Sequence, residues 1–62
     1  NLSVWLREAR MRRAAELLRD TDLRVAEIAE QVGYENQSKF AAVFTKQFGC
    51  PPLEYRRRAR LD

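Results

Sequence analysis

The side chains with the clearest binding chemistry lie in the stretch QSKFAAVFTKQF, residues 37–48. Its aromatic residues recur at the three- and four-residue spacing of a single helical face. Six of the residues away from this face offer hydroxyl, ammonium or methyl groups. They are Ser38, Lys39, Ala41, Ala42, Thr45 and Lys46. A small, polar and basic helix face can enter the major groove of DNA, so duplex DNA is the first binding partner to consider.

Catalytic and metal chemistry have few residues to draw on. The sequence contains no histidine, and Cys50 is its only cysteine, which excludes an internal disulfide and an ordinary zinc site. Cys50 is also the only nucleophile candidate, and its neighbours Gly49 and Pro51 supply no base. We therefore expect a protein that is not an enzyme and that uses no cofactor.

A helix that ends at Gly33 is predicted just before the stretch described above. Val25, Ile28 and Val32 fall on one helical face. Gly33 follows directly, at the position where helices often end in a left-handed conformation that glycine adopts at little cost. The small side chain of Ala29 would allow a second helix to cross closely. This pattern predicts a helix-turn-helix.

The second helix of the motif is predicted to begin after Asn36, whose side chain can accept hydrogen bonds from free helix amides. Its apolar residues form a buried stripe. They are Phe40, Val43, Phe44 and Phe48. The pattern leaves an alternative open, since similar helices occur in bundles whose outer face is only solvated.

Two further helices are predicted around the motif. Ser3 can cap a first helix, whose apolar stripe begins at Val4. Pro52 suits the first position of a last helix because its missing N–H costs nothing there, and Leu53 and Tyr55 are expected to anchor that helix. The fold class is all-α, a homeodomain-like bundle of about four helices. Its predicted segments are 3–19 for the first helix, 25–48 for the helix-turn-helix and 52–60 for the C-terminal helix.

Charge is distributed unevenly along the chain, although the net charge is only +3. Residues 1–19 carry five arginines against two glutamates, and residues 37–62 carry six basic residues against two acidic ones. Residues 20–36 carry one arginine against five acidic residues. This polarity would orient the chain in the electric field of a polyanion.

With 62 residues the chain is long enough for one domain. Chains of this length bury only about 60% of the surface that they expose when unfolded, so we expect marginal stability without a partner. No apolar run approaches the roughly 20 residues that cross a bilayer, and no signal-peptide pattern is present. We expect a cytoplasmic protein that does not contact membranes.

These segments together resemble the second half of the DNA-binding domain of AraC/XylS-type transcription regulators. The similar pieces are WLREARMRRAAELL for the family's linker helix, DLRVAEIAEQVGY for the first helix and turn, NQSKFAAVF for the recognition helix, and FGCPPLEYR for the closing segment. The resemblance extends from Trp5 to Arg56. It implies a regulator with two helix-turn-helix units, each placing one recognition helix in a major groove of double-stranded DNA.

The resemblance also implies which parts and partners to expect. A first helix-turn-helix unit and an effector-sensing or dimerisation domain would belong to a longer protein that contains this chain. RNA polymerase is a further possible partner, because family members use surfaces near this unit to meet it. The alternative function is a protein-interaction module for polymerase or a partner domain, with weak backbone contact to DNA. The acidic residues Glu27, Glu30 and Glu35 favour that alternative.

Site residues are carried over from the family's motif. The base-facing positions fall on Gln37, Ser38, Lys39, Ala41 and Ala42, and the DNA-backbone candidates are Arg24, Thr45, Lys46 and Arg56. This chain departs from the family at Ala42 and Thr45, where members commonly have arginine and lysine. Losing an arginine that grips guanine could forfeit about 1–3 kcal/mol of base discrimination. Gln37 is then the residue best suited to a paired contact with adenine, and Lys39 could reach guanine or a phosphate.

Overall fold

The computed structural model describes residues 1–61, which form four helices and contain no β-strand. Helix α1 spans Leu2–Asp20, α2 spans Val25–Gln31, α3 spans Gln37–Phe48, and α4 spans Pro52–Ala59. Helices α2 and α3 form the helix-turn-helix, and α1 and α4 both pack against it and against each other. The prediction of an all-α helical bundle is confirmed.

Helix α1 begins earlier than predicted because Asn1, and not Ser3, is its N-cap. The Oδ1 atom of Asn1 accepts a hydrogen bond from the backbone N–H of Ser3 at 2.8 Å. The predicted apolar stripe is buried only from Met11 onward, whereas Val4 and Leu6 are 43% and 42% exposed. The N-terminal half of α1 therefore extends past the hydrophobic core and is only partly covered by α3.

The core is filled mainly by five fully buried side chains from three helices. They are Met11, Leu18, Ile28, Phe40 and Phe44. Burying each such side chain stabilises the fold by about 1.5–3 kcal/mol. The aromatic rings continue the core toward α4, because the centroid of Phe44 lies 4.5 Å from that of Phe48 and 5.4 Å from that of Tyr55.

The turn between α2 and α3 has the predicted form. Gly33 adopts a left-handed φ of +92°, and the N–H of Tyr34 bonds back to the carbonyl of Ala29 at 2.8 Å. The ring of Tyr34 then packs edge-on to Phe40, with centroids 5.9 Å apart. Ala29 is buried, which fits its predicted place where the helices approach closely. The glycine thus sets the direction in which α3 leaves the turn.

Helix α4 is held differently from the prediction. Pro52 and Tyr55 pack inward as expected, but Leu53 is 64% exposed and anchors nothing. Arg56 and Arg60 take its place, because their guanidinium groups donate hydrogen bonds to backbone carbonyls at the end of α1 and in the loop that follows. Cationic side chains at a helix C-terminus satisfy free carbonyls and complement the helix dipole.

Candidate nucleic-acid interface

Helix α3 presents a polar and basic face to solvent, opposite its aromatic stripe. Phe40 and Phe44 are completely buried on one side. The exposed residues are Gln37, Ser38, Lys39, Ala42, Lys46 and Gln47. Asn36 fixes where this helix begins, because its Oδ1 accepts a hydrogen bond from the N–H of Lys39 at 3.0 Å. The core residues therefore determine which side of α3 faces solvent, and the cap determines the residue at which α3 begins.

The centre of this face is narrow. Ser38 and Ala42 lie one helical turn apart and so nearly in line along the helix. Ala42 has only a methyl group, which leaves room for another molecule to approach the backbone of α3. Thr45, on the flank, is half-buried, and its Oγ1 donates a hydrogen bond to the carbonyl of Ala41 at 2.7 Å. The Thr45 hydroxyl therefore keeps only acceptor capacity for a ligand.

The predicted site residues divide between two edges of this face. Gln37 lies beside Arg24 and Leu53, where these residues line one shallow depression between α2, α3 and α4. Lys46 lies on the other edge, where it shares a crevice with Arg7 of α1. Ala41 is half-buried. The structure thus brings Ser38, Lys39 and Ala42 together at the centre, with one polar cluster on each side.

Arg24 is exposed at the N-cap of α2. The Glu27 carboxylate accepts a hydrogen bond from the backbone N–H of Arg24 at 2.8 Å. An arginine side chain has no acceptor atom, so the reciprocal half of a capping box is missing. Within residues 1–61 the Arg24 guanidinium makes no hydrogen bond or ion pair, which leaves its charge available to a ligand.

Arg56 borders the same depression as Gln37, but its charge is engaged inside the protein. Its Nε donates to the carbonyl of Leu18 at 2.9 Å, and another guanidinium nitrogen donates to the carbonyls of Thr21 and Leu23. This geometry gives Arg56 a structural role, and its contact with a DNA phosphate stays a prediction. The carbonyls lie up to 38 residues away in sequence, so no local pattern could reveal the contact.

Two residues that lie beside this face are not marked as site residues by the motif. Arg7 carried a signal, because it interrupts the apolar stripe of α1 three residues after Val4 and four residues before Met11. Leu53 carried none, since an apolar residue in the first turn of α4 is equally compatible with burial. Its exposure beside Arg24 became visible only once the helices were packed.

Three acidic residues lie on α2 and in the turn before α3. Glu27, Glu30 and Glu35 are all exposed, and Glu35 lines a depression together with Lys39 of α3. Within the described part of the chain, Glu30 and Glu35 make no ion pair. A negative surface on α2 and a positive one along α3 give the domain an electrostatic polarity suited to a polyanionic ligand.

A small bundle with a glycine-hinged helix pair and an exposed basic second helix defines a helix-turn-helix DNA-binding domain. This is the domain class of sequence-specific transcription regulators. The sequence matches the family model described as "Helix-turn-helix domain" over residues 1–58. The chain belongs to the AraC-type helix-turn-helix family.

Curated relatives extend this assignment. The chain is 46% identical over 57 residues to the HTH-type transcriptional activator RhaR of Mannheimia succiniciproducens, a match that covers 92% of this chain and 21% of that protein. It is 40% identical over 58 residues to the RhaR proteins of Yersinia pseudotuberculosis and Yersinia pestis, covering 94% of this chain and 20% of each. The chain thus spans about a fifth of the length of these relatives. No solved structure matches it.

Across residues 1–61, none of the helices has both the length and the apolar character needed to cross a membrane. The same residues include no group of three or more acidic or cysteine side chains arranged to hold a metal ion.

Proposed function

We propose that this chain is the DNA-contacting part of a transcription regulator and that α3 inserts into the major groove of duplex DNA. The observation that carries the proposal is the exposed face of α3, where Ser38, Lys39, Ala42 and Lys46 lie opposite the buried Phe40. A helix fits the major groove, and side chains of this kind hydrogen-bond base edges and phosphates. The proposed activity is therefore binding, with no catalytic step.

In this proposal the exposed face of α3, including Gln37 at one edge, meets the bases, and the basic residues that flank this face meet the sugar-phosphate backbones. The base-facing residues are Gln37, Ser38, Lys39, Ala41 and Ala42, and the phosphate contacts come from Arg24, Thr45 and Lys46. The Gln37 amide suits the paired donor and acceptor groups of adenine, and the Ala42 methyl suits the methyl group of thymine. Thr45 would donate to a phosphate only if its hydroxyl proton turned away from the carbonyl of Ala41, to which it now donates.

In this proposal the chain contains one of two helix-turn-helix units of a longer regulator. The RhaR relatives are about five times as long as the matched segment, which leaves room for a preceding helix-turn-helix and an effector or dimerisation domain. We place the preceding helix-turn-helix in a neighbouring major groove, about 34–36 Å from α3 along the duplex, because recognition helices on one face of DNA are spaced by a helical turn.

RNA polymerase, or a neighbouring domain of the same protein, is a subordinate second partner. The observation behind it is the exposed acidic surface of Glu27, Glu30 and Glu35. DNA would repel these carboxylates, so they would turn toward a basic protein surface. Charge reversal at Glu30 and Glu35 should then leave DNA affinity in place or raise it, while transcription in a reconstituted assay falls. Unchanged transcription would remove this second partner.

The primary test is a titration of the 62-residue chain with labelled duplex DNA, followed by fluorescence anisotropy at several salt concentrations. We expect dissociation constants near ~10⁻⁴–10⁻⁶ M, with log K falling linearly as log salt rises, at a slope of about −0.9 for each phosphate contacted. A double-charge control, Lys39→Gln with Lys46→Gln, should bind less and with a shallower slope. Absent binding at low ionic strength, or binding that ignores salt, would reject the proposed function.

A further inference from the structure

Arg7 occupies a position in α1 that would normally be apolar. It lies on the same helical face as Val4 and Met11, at the spacing that continues the core stripe toward the N-terminus. Met11 is fully buried one turn later, whereas Arg7 is exposed because the core ends between them. The stripe therefore directs Arg7 toward the side of the molecule where α3 lies.

Arg7 and Lys46 line one crevice between the N-terminal half of α1 and the C-terminal half of α3. Its walls include the apolar side chains of Val4 and Val43, on which the long stems of the two basic residues can rest while their charged ends reach solvent. Glu8 is the one acidic residue among those that line it. Within residues 1–61, neither Arg7 nor Lys46 makes an ion pair with Glu8 or with any other carboxylate.

We propose that Arg7 is a phosphate-binding residue, acting with Lys46 on the edge of α3 opposite Arg24. This inference rests on the proposed insertion of α3 into the major groove. That groove is about 12 Å wide and is bounded by two sugar-phosphate backbones, so a helix within it has one edge toward each strand. Arg24 and Gln37 share one edge of α3, and Lys46 and Arg7 share the other. The linker-like helix α1 thereby becomes part of the DNA-contact surface.

The charges of Arg7 and Lys46 in this crevice are not balanced by an ion pair, as they would be if Arg7 had a purely structural role. Two positive groups without an acidic partner add repulsion to the free domain, and a phosphate placed between them would relieve it. Removing the charge of Arg7 should therefore weaken DNA binding without lowering the stability of the free chain. An arginine that served packing or a salt bridge would behave in the opposite way.

The test compares Arg7→Gln with Arg12→Gln in the 62-residue chain. Arg12 is an exposed arginine on the same helix that lines none of these depressions, and among residues 1–61 its guanidinium makes no hydrogen bond or ion pair, so both variants lose one charge. We expect Arg7→Gln to reduce the slope of log K against log salt by about 0.9, the contribution of one phosphate, and Arg12→Gln to leave it unchanged. The melting temperature of Arg7→Gln should equal or exceed that of the unaltered chain.

A second variant, Glu8→Gln, should change the affinity for DNA in the opposite direction. Removing this carboxylate from beside the phosphate site should raise affinity at low salt, with no loss of thermal stability. Equal slopes for the Arg7→Gln variant and the unaltered chain, with salt-dependent binding intact, would overturn the role of Arg7 and leave the proposed function standing. If the unaltered chain shows no salt-dependent binding, both proposals fall together.

Discussion

Arg56 of α4 donates a hydrogen bond from Nε to the carbonyl oxygen of Leu18, 2.9 Å away and 38 residues earlier in the chain. The same guanidinium bonds the carbonyls of Thr21 and Leu23 in the loop that leads into α2. One side chain therefore ties the last helix to the end of the first and to the start of the helix-turn-helix. The position of Arg24, the N-cap of α2, depends on this loop.

Arg56→Lys should destabilise the fold by about 1–3 kcal/mol, since an ammonium group cannot reproduce the planar fork that reaches several carbonyls at once. Urea unfolding followed by circular dichroism measures the change. Arg57→Lys is the matched control, because Arg57 is exposed and its contact with Glu54 is a surface ion pair, so its effect should stay within about 0.5 kcal/mol. Equal stability for the two variants would show that the carbonyl contacts of Arg56 contribute little.

Gly33→Ala should cost about 1 kcal/mol or more, because a side chain at a φ of +92° is strained. The added Cβ would lie 3.4 Å from Cζ of Arg10, an ordinary van der Waals contact, so the cost comes from the backbone conformation. Gly49→Ala is the matched control, since Gly49 has a similar φ of +82° with no atom within 4 Å of its added Cβ. Thermal melts should show a comparable loss for both variants, and an unaltered melting temperature for Gly33→Ala would contradict the turn geometry.

Phe44→Ala should unfold most of the chain. Phe44 is fully buried and contacts the rings of Phe40, Phe48 and Tyr55. Truncating a buried phenylalanine costs about 3–5 kcal/mol, and a domain this small has little stability to spare. Leu53→Ala is the control, since Leu53 is largely exposed and should tolerate the change. A cooperative melt for Phe44→Ala near that of the unaltered chain would show that the aromatic cluster is not the centre of the core.

Features that depend on residues close in sequence were predictable, and features that depend on residues distant in sequence were not. Gly33 and Asn36 act on amides and carbonyls within five residues, so their turn and cap followed from the sequence. The aromatic spacing likewise fixed which side of α3 is exposed. Leu53 and Arg56 depend on how α4 meets α1, which no local spacing specifies.

The same distinction applies to the candidate interface. The outer face of α3 was predicted from periodicity, and the family motif added Gln37. The crevice that joins Arg7 to Lys46 requires the N-terminal half of α1 to lie beside the C-terminal half of α3. Residues 39 positions apart in sequence meet there because the core sets the helix packing, so sequence alone could mark Arg7 only as an anomaly in an apolar stripe.

The last prediction separates base reading from backbone binding. Ala42 and Thr45 lack the groups to grip a base edge, so Gln37 is the exposed side chain on α3 best able to make a paired contact with adenine. Lys46, at the edge of the helix beside Arg7, is placed for a phosphate. In the longer regulator that carries a preceding unit, Gln37→Ala should relax the preference at one base pair of the second half-site by about 1–3 kcal/mol.

Lys46→Ala should instead weaken binding to all sequences alike and lower the salt slope by about one unit, because a phosphate contact carries no base information. A panel of single-base operator variants, each titrated at several salt concentrations, measures both effects in one experiment. Ser38→Ala serves as a comparison at the centre of the face, where a lone hydroxyl should contribute less discrimination than a bidentate amide. If Gln37→Ala preserves the relative affinities of every operator variant, α3 holds the backbone only. Sequence reading would then reside outside this helix.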